Sequence, residues 1–327
     1  MRAFIVSRPG ELRRIEREVP QPGTGQVLVR ISCCGVCRTD LHLVDGDLPP
    51  RHPGITPGHE VVGRVEARGP AAERFAVGTR VGVAWLGATD GSCRFCRRGA
   101  ENLCLAPTFT GWDRNGGYAD FCLADEAYAY PLPAGIGDEQ VAPLLCAGII
   151  GYRALICAAV PAGGSLGIYG FGGSAHLTAQ LAVAQGLRVH VLTRGEGNRR
   201  LALDLGAASA GGADGVPPEP LDGAILFAPA GDLVPVALRA LDRGATLAVA
   251  GIWLSQIPAL SYDETLFQER KLRSVTANTR ADGETFLRLA ERLGVRATTV
   301  AYPMAEAPQA LEDLRAGRFS GAAVLLN

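Results

Sequence analysis

Gly170-Phe171-Gly172-Gly173-Ser174-Ala175 (GFGGSA) is the stretch whose surroundings decide the fold. Before it, Ser165–Tyr169 (SLGIY) is a run of small and apolar residues suited to a strand buried on both faces. After it, Ser174–Gln185 sets Leu177, Leu181 and Ala184 at helical spacing and stops at Gly186. Strand, glycine-rich turn and helix in this order make the G-x-G-x-x-G/A pattern that seats a dinucleotide. Gly170 permits the tight turn, and Gly172 lets backbone approach a pyrophosphate. Gly173 and Ser174 open the helix, whose first amides face the anion, and Ala175 is small enough for close helix–sheet contact.

Downstream the alternation continues. Arg188–Leu192, Gly223–Phe227 and Ala245–Ala250 read as strands, and Leu201–Leu205 and Val234–Leu241 as parts of helices, the second stopping at Gly244. Such alternation predicts a doubly wound parallel sheet, the Rossmann arrangement. Upstream the texture differs: Gln26–Ser32, Glu60–Ala67 and Arg80–Trp85 are short β-rich runs separated by glycine and proline. After about Thr276 it mixes again, with helices near Glu284–Leu293 and Ala307–Ala316 and a closing strand at Ala323–Leu326. The expected architecture is α/β in two domains. A mostly-β catalytic domain uses residues 1–146 and 277–327, and a cofactor-binding domain at 147–276 is inserted between its parts.

Composition narrows the class. The 327 residues are 47% hydrophobic and 20% charged, with a formal net charge of -1, so neither nucleic acid nor an anionic membrane is an expected partner. The apolar run Ala3–Val6 is too short for a signal peptide, and no stretch is long enough to span a bilayer. The expectation is a soluble, cytoplasmic protein. Its nine cysteines are then better metal ligands than disulfide partners.

Three motifs carry the chemistry: Gly35-Val36-Cys37-Arg38-Thr39-Asp40-Leu41-His42, then Gly58-His59-Glu60, then Pro143-Leu144-Leu145-Cys146-Ala147-Gly148. In this order and spacing the chain strongly resembles the zinc-dependent medium-chain alcohol dehydrogenases, with a GroES-like catalytic domain. The runs Ala84–Gly87 and Phe109–Trp112 resemble the bacterial propanol-preferring or broad-range members. The resemblance implies reversible hydride transfer between a primary or secondary alcohol and NAD(P), giving aldehyde or ketone. By it, Cys37, His59 and Cys146 hold the catalytic zinc, a three-ligand set that leaves a fourth position open. Thr39 takes the alcohol proton, which passes through the cofactor ribose to His42. Asp40 supports a ligand, fixing the imidazole tautomer, Glu60 is an alternative ligand, and Arg38 contacts pyrophosphate. Thr39, Trp85, Leu86 and Trp112, with Ile252 near the nicotinamide end, make an apolar substrate lining; ordinary core packing is the alternative for the tryptophans.

Several positions depart from the family. Its structural zinc lobe carries four cysteines, whereas this chain has Asp90, Cys93, Cys96 and Cys104. Carboxylate oxygen is an acceptable zinc ligand, so a second, structural zinc is expected, a degraded lobe being the alternative. The second strand of the cofactor domain ends Val191-Leu192-Thr193-Arg194, with no acid to read the ribose 2′-OH of NAD. Thr193 does not repel a 2′-phosphate and Arg194 can pair with one, which favours NADP over NAD; stacking of Arg194 on adenine is the alternative. Ile150 and Ala322 replace a threonine and an arginine common in relatives. Cys33, Cys34, Cys122 and Cys157 read as small buried residues, and His52, His176 and His190 have no partner pattern. A cinnamyl-type aldehyde reductase remains an alternative; a polyol dehydrogenase would carry an acid in place of Cys146. A regulatory or structural protein on this fold would not need to keep three ligands together with Thr39 and His42. By resemblance the assembly is a homodimer or homotetramer, with Leu254–Leu260 as an interface strand and loop.

Overall fold

In the computed structural model, which describes residues 1–327, the chain opens with an antiparallel pair, β1 (Arg2–Arg8) and β2 (Glu11–Glu16). Then come β3 (Gln26–Val36), α1 (Arg38–Asp45), β4 (Val61–Arg68), β5 (Arg80–Val83), β6 (Leu86–Ala88), β7 (Thr108–Phe109), β8 (Phe121–Asp125), β9 (Ala129–Pro131) and α2 (Asp138–Val141). The middle of the chain holds α3 (Ala147–Ala158), β10 (Ser165–Tyr169), α4 (Gly173–Ala184), β11 (Arg188–Leu192), α5 (Glu196–Asp204) and β12 (Ser209–Gly211). It continues through β13 (Leu221–Leu226), α6 (Leu233–Ala240), β14 (Leu241–Val249), α7 (Tyr262–Thr265) and β15 (Lys271–Ser274). The chain closes with α8 (Arg280–Leu293), β16 (Thr299–Pro303), α9 (Ala307–Ala316) and β17 (Ala322–Leu326).

Two units result. The first comprises Met1–Cys146, Ala277–Glu291 and Arg296–Asn327; the second comprises Ala147–Thr276 and Arg292–Val295. Thus the last residues of α8 and the turn after it group with the second unit, although the sequence reading kept all of 277–327 with the first.

In the first unit, β16-β17-β3-β4-β5-β9 form the main sheet, and β8 also pairs with β3. β3 runs past the expected Ser32 to Val36, because Cys33 to Val36 pair antiparallel with β17 and stay almost dry. The core under this sheet takes Val27, Val29, Ile31, Val61, Val65 and Val81 from alternate strand positions. Cys33, Cys34 and Cys122 are buried here, as is Cys157 in the second unit. β5 stops at Val83, two residues before the expected end, and Trp85 turns away to join an aromatic cluster.

The second unit holds one parallel sheet in the order β12-β11-β10-β13-β14-β15. This is the 3-2-1-4-5-6 order of a doubly wound dinucleotide fold, whose direction of winding reverses between β10 and β13. Every residue of β10 is buried, as a central parallel strand requires. Two expectations need correction. α6 ends at Ala240, not further on, because Leu241 already pairs with Leu221; the register then slips by three residues around Gly244, at φ +72°. Leu254–Leu260 forms no strand, and the edges of the sheet are β12 and β15. No single helix in the protein is long and apolar enough to cross a membrane.

Candidate metal centre and active site

Cys37 ends β3's sheet pairing and caps α1. Its Sγ accepts from the Thr39 amide at 3.5 Å, while the Asp40 carboxylate reaches back to the Cys37 amide at 2.9 Å, a capping box. Asp40 is therefore committed to backbone: its other oxygen accepts from the Gly58 amide at 3.0 Å. Tying residues 37 and 58 to one buried carboxylate brings Cys37 and His59 together. Asp40 Oδ1 also lies 3.3 Å from His59 Nδ1, but the two are not aligned as a hydrogen bond, and Nδ1 is left without a partner. Asp40 Oδ1 thus stands beside the Nδ1 edge of the imidazole.

The approach to His59 needs glycines. Gly58 has φ +98°, and a Cβ there would lie 2.6 Å from the Tyr118 ring and 2.8 Å from Cys34 Sγ. Gly116, Gly117 and Tyr118 hydrogen-bond to Thr56, Gly58 and Pro57 respectively, forming a splint along the segment before His59. Tyr118, fully buried, donates to Asp40 Oδ2 at 3.3 Å. Glu60 packs where Gly35 has no side chain: a Cβ at 35 would fall 1.8 Å from Glu60 Oε2.

Cys146, at the end of the first unit, completes the cluster. Its Sγ is 3.9 Å from that of Cys37, and the donor atoms of Cys37, His59, Glu60 and Cys146 all lie within 4.8 Å of one another. Glu60 Oε2, like His59 Nδ1, is buried without a hydrogen-bond partner. Donation from the Cys146 thiol holds Cys37 well below its ordinary pKa against the effect of burial, and pushes Cys146 up in turn. Burial opposes charge on His59, but Asp40 and Cys37 outweigh it and raise its pKa. Burial, then the neighbouring Cys37, pushes the Glu60 carboxyl up. Two half-buried thiols and two buried carboxyls cannot all ionise side by side unless a cation balances them. A soft, tetrahedral dication with sulfur and imidazole donors fits this set, and zinc is that ion.

Around the centre, Thr39 is buried with its Oγ1 3.7 Å from Cys37 Sγ, and His42 follows one turn later on the same face of α1. Arg38, the first residue of α1, is exposed. The Trp85 ring meets His59 edge-on at 5.0 Å and stacks with Phe109 at 4.8 Å and Trp112 at 6.0 Å. Leu86 is buried beneath. A wall of three near-parallel rings therefore begins at His59.

The second cluster sits on the lobe between β6 and β7. Donor atoms of Asp90, Cys93, Cys96 and Cys104 lie within 4.8 Å of one another. Asp90 Oδ1 accepts from the Ser92 and Cys93 amides, both at 2.8 Å, which leaves its other oxygen for a metal. Those amides hold its carboxyl well below the usual range, so it is a ready anionic ligand. The lobe is anchored by Glu101, which accepts from the Arg280 amide at 3.0 Å and the Arg280 Nε at 3.2 Å. Arg280 lies over the Tyr128 ring, whose hydroxyl meets Thr89 Oγ1, itself 3.5 Å from Cys96 Sγ.

In the second unit, Gly170 has φ +87°, and a Cβ there would strike Ala228 at 2.8 Å. At Gly172 and Gly173 a Cβ would meet nothing within 4 Å, so packing within the protein does not demand glycine there. The N-cap of α4 has no side-chain partner, and Ala175 is fully buried against the sheet. Free amides above an open cradle fit a pyrophosphate. Thr193 is buried and Arg194 exposed at the end of β11, with Arg199 Nη1 donating to the Thr193 carbonyl at 3.4 Å. Ile252 is 63% exposed. His190, for which the sequence offered no partner, bonds Ser209 at 2.8 Å and Glu219 at 2.9 Å.

Residues 23–134 match the alcohol dehydrogenase GroES-like domain. The whole chain is 56% identical to a Mycobacterium tuberculosis protein named "Probable alcohol dehydrogenase AdhA", covering 97% of it. The chain belongs to the zinc-dependent medium-chain alcohol dehydrogenase family. An alcohol dehydrogenase of Geobacillus stearothermophilus is 34% identical, over 99% of this chain and 98% of its own. Among solved structures, a cinnamyl alcohol dehydrogenase of Sorghum bicolor superposes with a TM-score of 0.90 at 26% identity, over 99% of this chain and 96% of its own.

Within this family, reading the sequence alone missed Tyr118, Gly35 and Glu101. The paired Gly116-Gly117 was the available sign of close backbone approach, whereas Glu101 and Arg280 are 179 residues apart and gave none.

Proposed function

We propose that the chain is a zinc-dependent, NAD(P)-linked alcohol dehydrogenase acting on small primary or secondary alcohols and the matching aldehydes or ketones. The observation that carries this is the convergence of two thiols, an imidazole and a carboxyl, with unpartnered buried donors, beside Thr39. Cys37, His59 and Cys146 hold zinc, with Glu60 as an alternative ligand. When bound, zinc makes the alcohol proton easier to lose and nicotinamide accepts the hydride. Thr39 takes that proton at its hydroxyl, and His42, a turn further along α1, delivers it to solvent. Trp85, Phe109 and Trp112 exclude water and favour apolar, including aromatic, alcohols. Oxidation of an alcohol panel with each cofactor tests the reading; no turnover of any alcohol by zinc-loaded protein would contradict it.

Asp90, Cys93, Cys96 and Cys104 hold a second, structural zinc. The pyrophosphate lies over Gly170–Ala175, with Arg38 as a further contact and Ile252 toward the nicotinamide end. NADP is preferred because Arg194 is exposed where an acid would select NAD. Arg194→Ala is therefore expected to raise KM for NADP about tenfold and leave KM for NAD unchanged. An equal change with both cofactors would contradict the preference. A second copy pairing along β15, one of the two sheet edges, makes the homodimer, and a homotetramer builds from it. Nine free cysteines suit the cytoplasm.

A further inference from the structure

The segment after β2, the loops at 52–55 and 113–115 and the start of β8 line a groove of about 550 Å³ in the first unit, the size of a small-molecule site. Buried Thr56 organises its polar end. The Thr56 hydroxyl accepts from Arg17 Nη2 at 3.0 Å, and its amide donates to Asn115 Oδ1 at 3.0 Å. With Oδ1 so used, Asn115 Nδ2 keeps its hydrogens for a ligand, and Arg17 keeps donors on Nε and Nη1. Two side chains anchored to one residue thus bring unused N–H groups to the same end of the groove.

Arg17 is half-buried, and the Thr56 hydroxyl is its one side-chain partner. Burial lowers its pKa with no acid to offset the effect. The other charges of the lining are taken or turned to solvent. Arg114 pairs with Asp125 at 2.8 Å, Asp113 accepts from the Phe109 amide and faces Arg51 at 3.7 Å, and Glu18 is exposed. Ile55, Phe121, Leu123 and Pro20 supply apolar surface.

We propose that this groove binds a small carboxylic acid, with its carboxylate on Arg17 and Asn115 and its hydrocarbon body against Ile55, Phe121 and Leu123. A guanidinium and an amide offer the donors that the two oxygens of one carboxylate require. The half-buried guanidinium has lost hydration without gaining an ion pair, and an incoming carboxylate offsets that cost. One uncompensated cation suits a monoanion, whereas Glu18 and Asp113 in the lining repel a phosphate dianion. None of these residues belongs to the cluster of Cys37, His59, Glu60 and Cys146, so the proposal stands independently of the reaction assigned there.

Calorimetric titration with acetate, benzoate, octanoate, neutral benzamide and inorganic phosphate tests it, on zinc-loaded wild type and on Arg17→Gln, Asn115→Asp and His59→Ala. Affinity should rise from acetate to octanoate as more apolar surface is covered, and benzamide should bind about tenfold more weakly than benzoate. Arg17→Gln should weaken benzoate about tenfold. Asn115→Asp keeps an acceptor for the Thr56 amide but sets a negative oxygen where the donor was. It should abolish binding, and it tests the site even if Arg17→Gln fails to fold. His59→Ala should bind benzoate as wild type does. Binding that survives both groove variants and disappears in His59→Ala would place the acid on the catalytic metal and overturn the proposal. So would phosphate binding more tightly than benzoate, or no heat of binding from any of the acids with wild type.

Discussion

His59→Ala is expected to lower kcat/KM for alcohol oxidation by about a thousandfold and to release the catalytic zinc. Metal catalysis of this kind supplies several kcal/mol at the transition state, and about 4 kcal/mol corresponds to three decades in rate. His59 is the sole imidazole among the clustered donors, and without it only Cys37 and Cys146, 3.9 Å apart, and Glu60 remain to hold the metal. The loss should appear in kcat and in metal content together. His190→Ala is the matched control. It removes a histidine that is 2% exposed, against 1% for His59, but one whose ring nitrogens both bond protein groups. That variant should lose stability and keep its zinc and kcat/KM. A His59→Ala protein with wild-type zinc and turnover would exclude His59 as a ligand.

Arg280→Ala carries the next largest effect, on stability rather than chemistry. It leaves the Glu101 carboxylate, whose side chain is 8% exposed, without its cation. Breaking a fully buried pair costs about 3–5 kcal/mol. The Arg280 side chain keeps 43% exposure, so solvent screening reduces the expected loss to about 2–3 kcal/mol. Burial pushes the Glu101 carboxyl up, but its own amide, the Arg280 amide and the guanidinium outweigh that and hold it below the usual range. A pKa lowered by folding adds stability above the unfolded-state value, about 4.3, and loses it as pH falls through the folded value. The gap between wild type and Arg280→Ala should therefore be full near pH 7 and shrink below about pH 4. Urea unfolding at several pH values measures it. A gap that stayed constant into acid would show that lost packing on Tyr128, not the ion pair, is responsible.

What was legible in the sequence followed from spacing along the chain. β10 and β11 end where their apolar runs end, because a central parallel strand is buried on both faces and its composition marks its limits. The motifs around Cys37, His59 and Cys146 named the donors, since ligand type and order carry the chemistry. Less could be read where tertiary pairing overrides local pattern. Leu241 looked helical but belongs to β14, drawn there by Leu221, and Gly244 ends no helix. β16 offers little alternation, and only its parallel pairing with β17 makes it a strand. The supports of the site were the least visible. Tyr118 reaches Asp40 across 78 residues and Arg280 reaches Glu101 across 179, and no periodicity reports such contacts.

Titrating zinc against turnover tests the three-ligand centre most directly. The protein is stripped stepwise with a chelator, zinc is returned, and metal content and alcohol oxidation are measured on the same samples. With Cys37, His59 and Cys146 as ligands, activity should fall as zinc leaves the centre and recover when it returns, and the His59→Ala protein should recover none. Zinc-free protein that still oxidised alcohol at the wild-type rate would contradict the assignment.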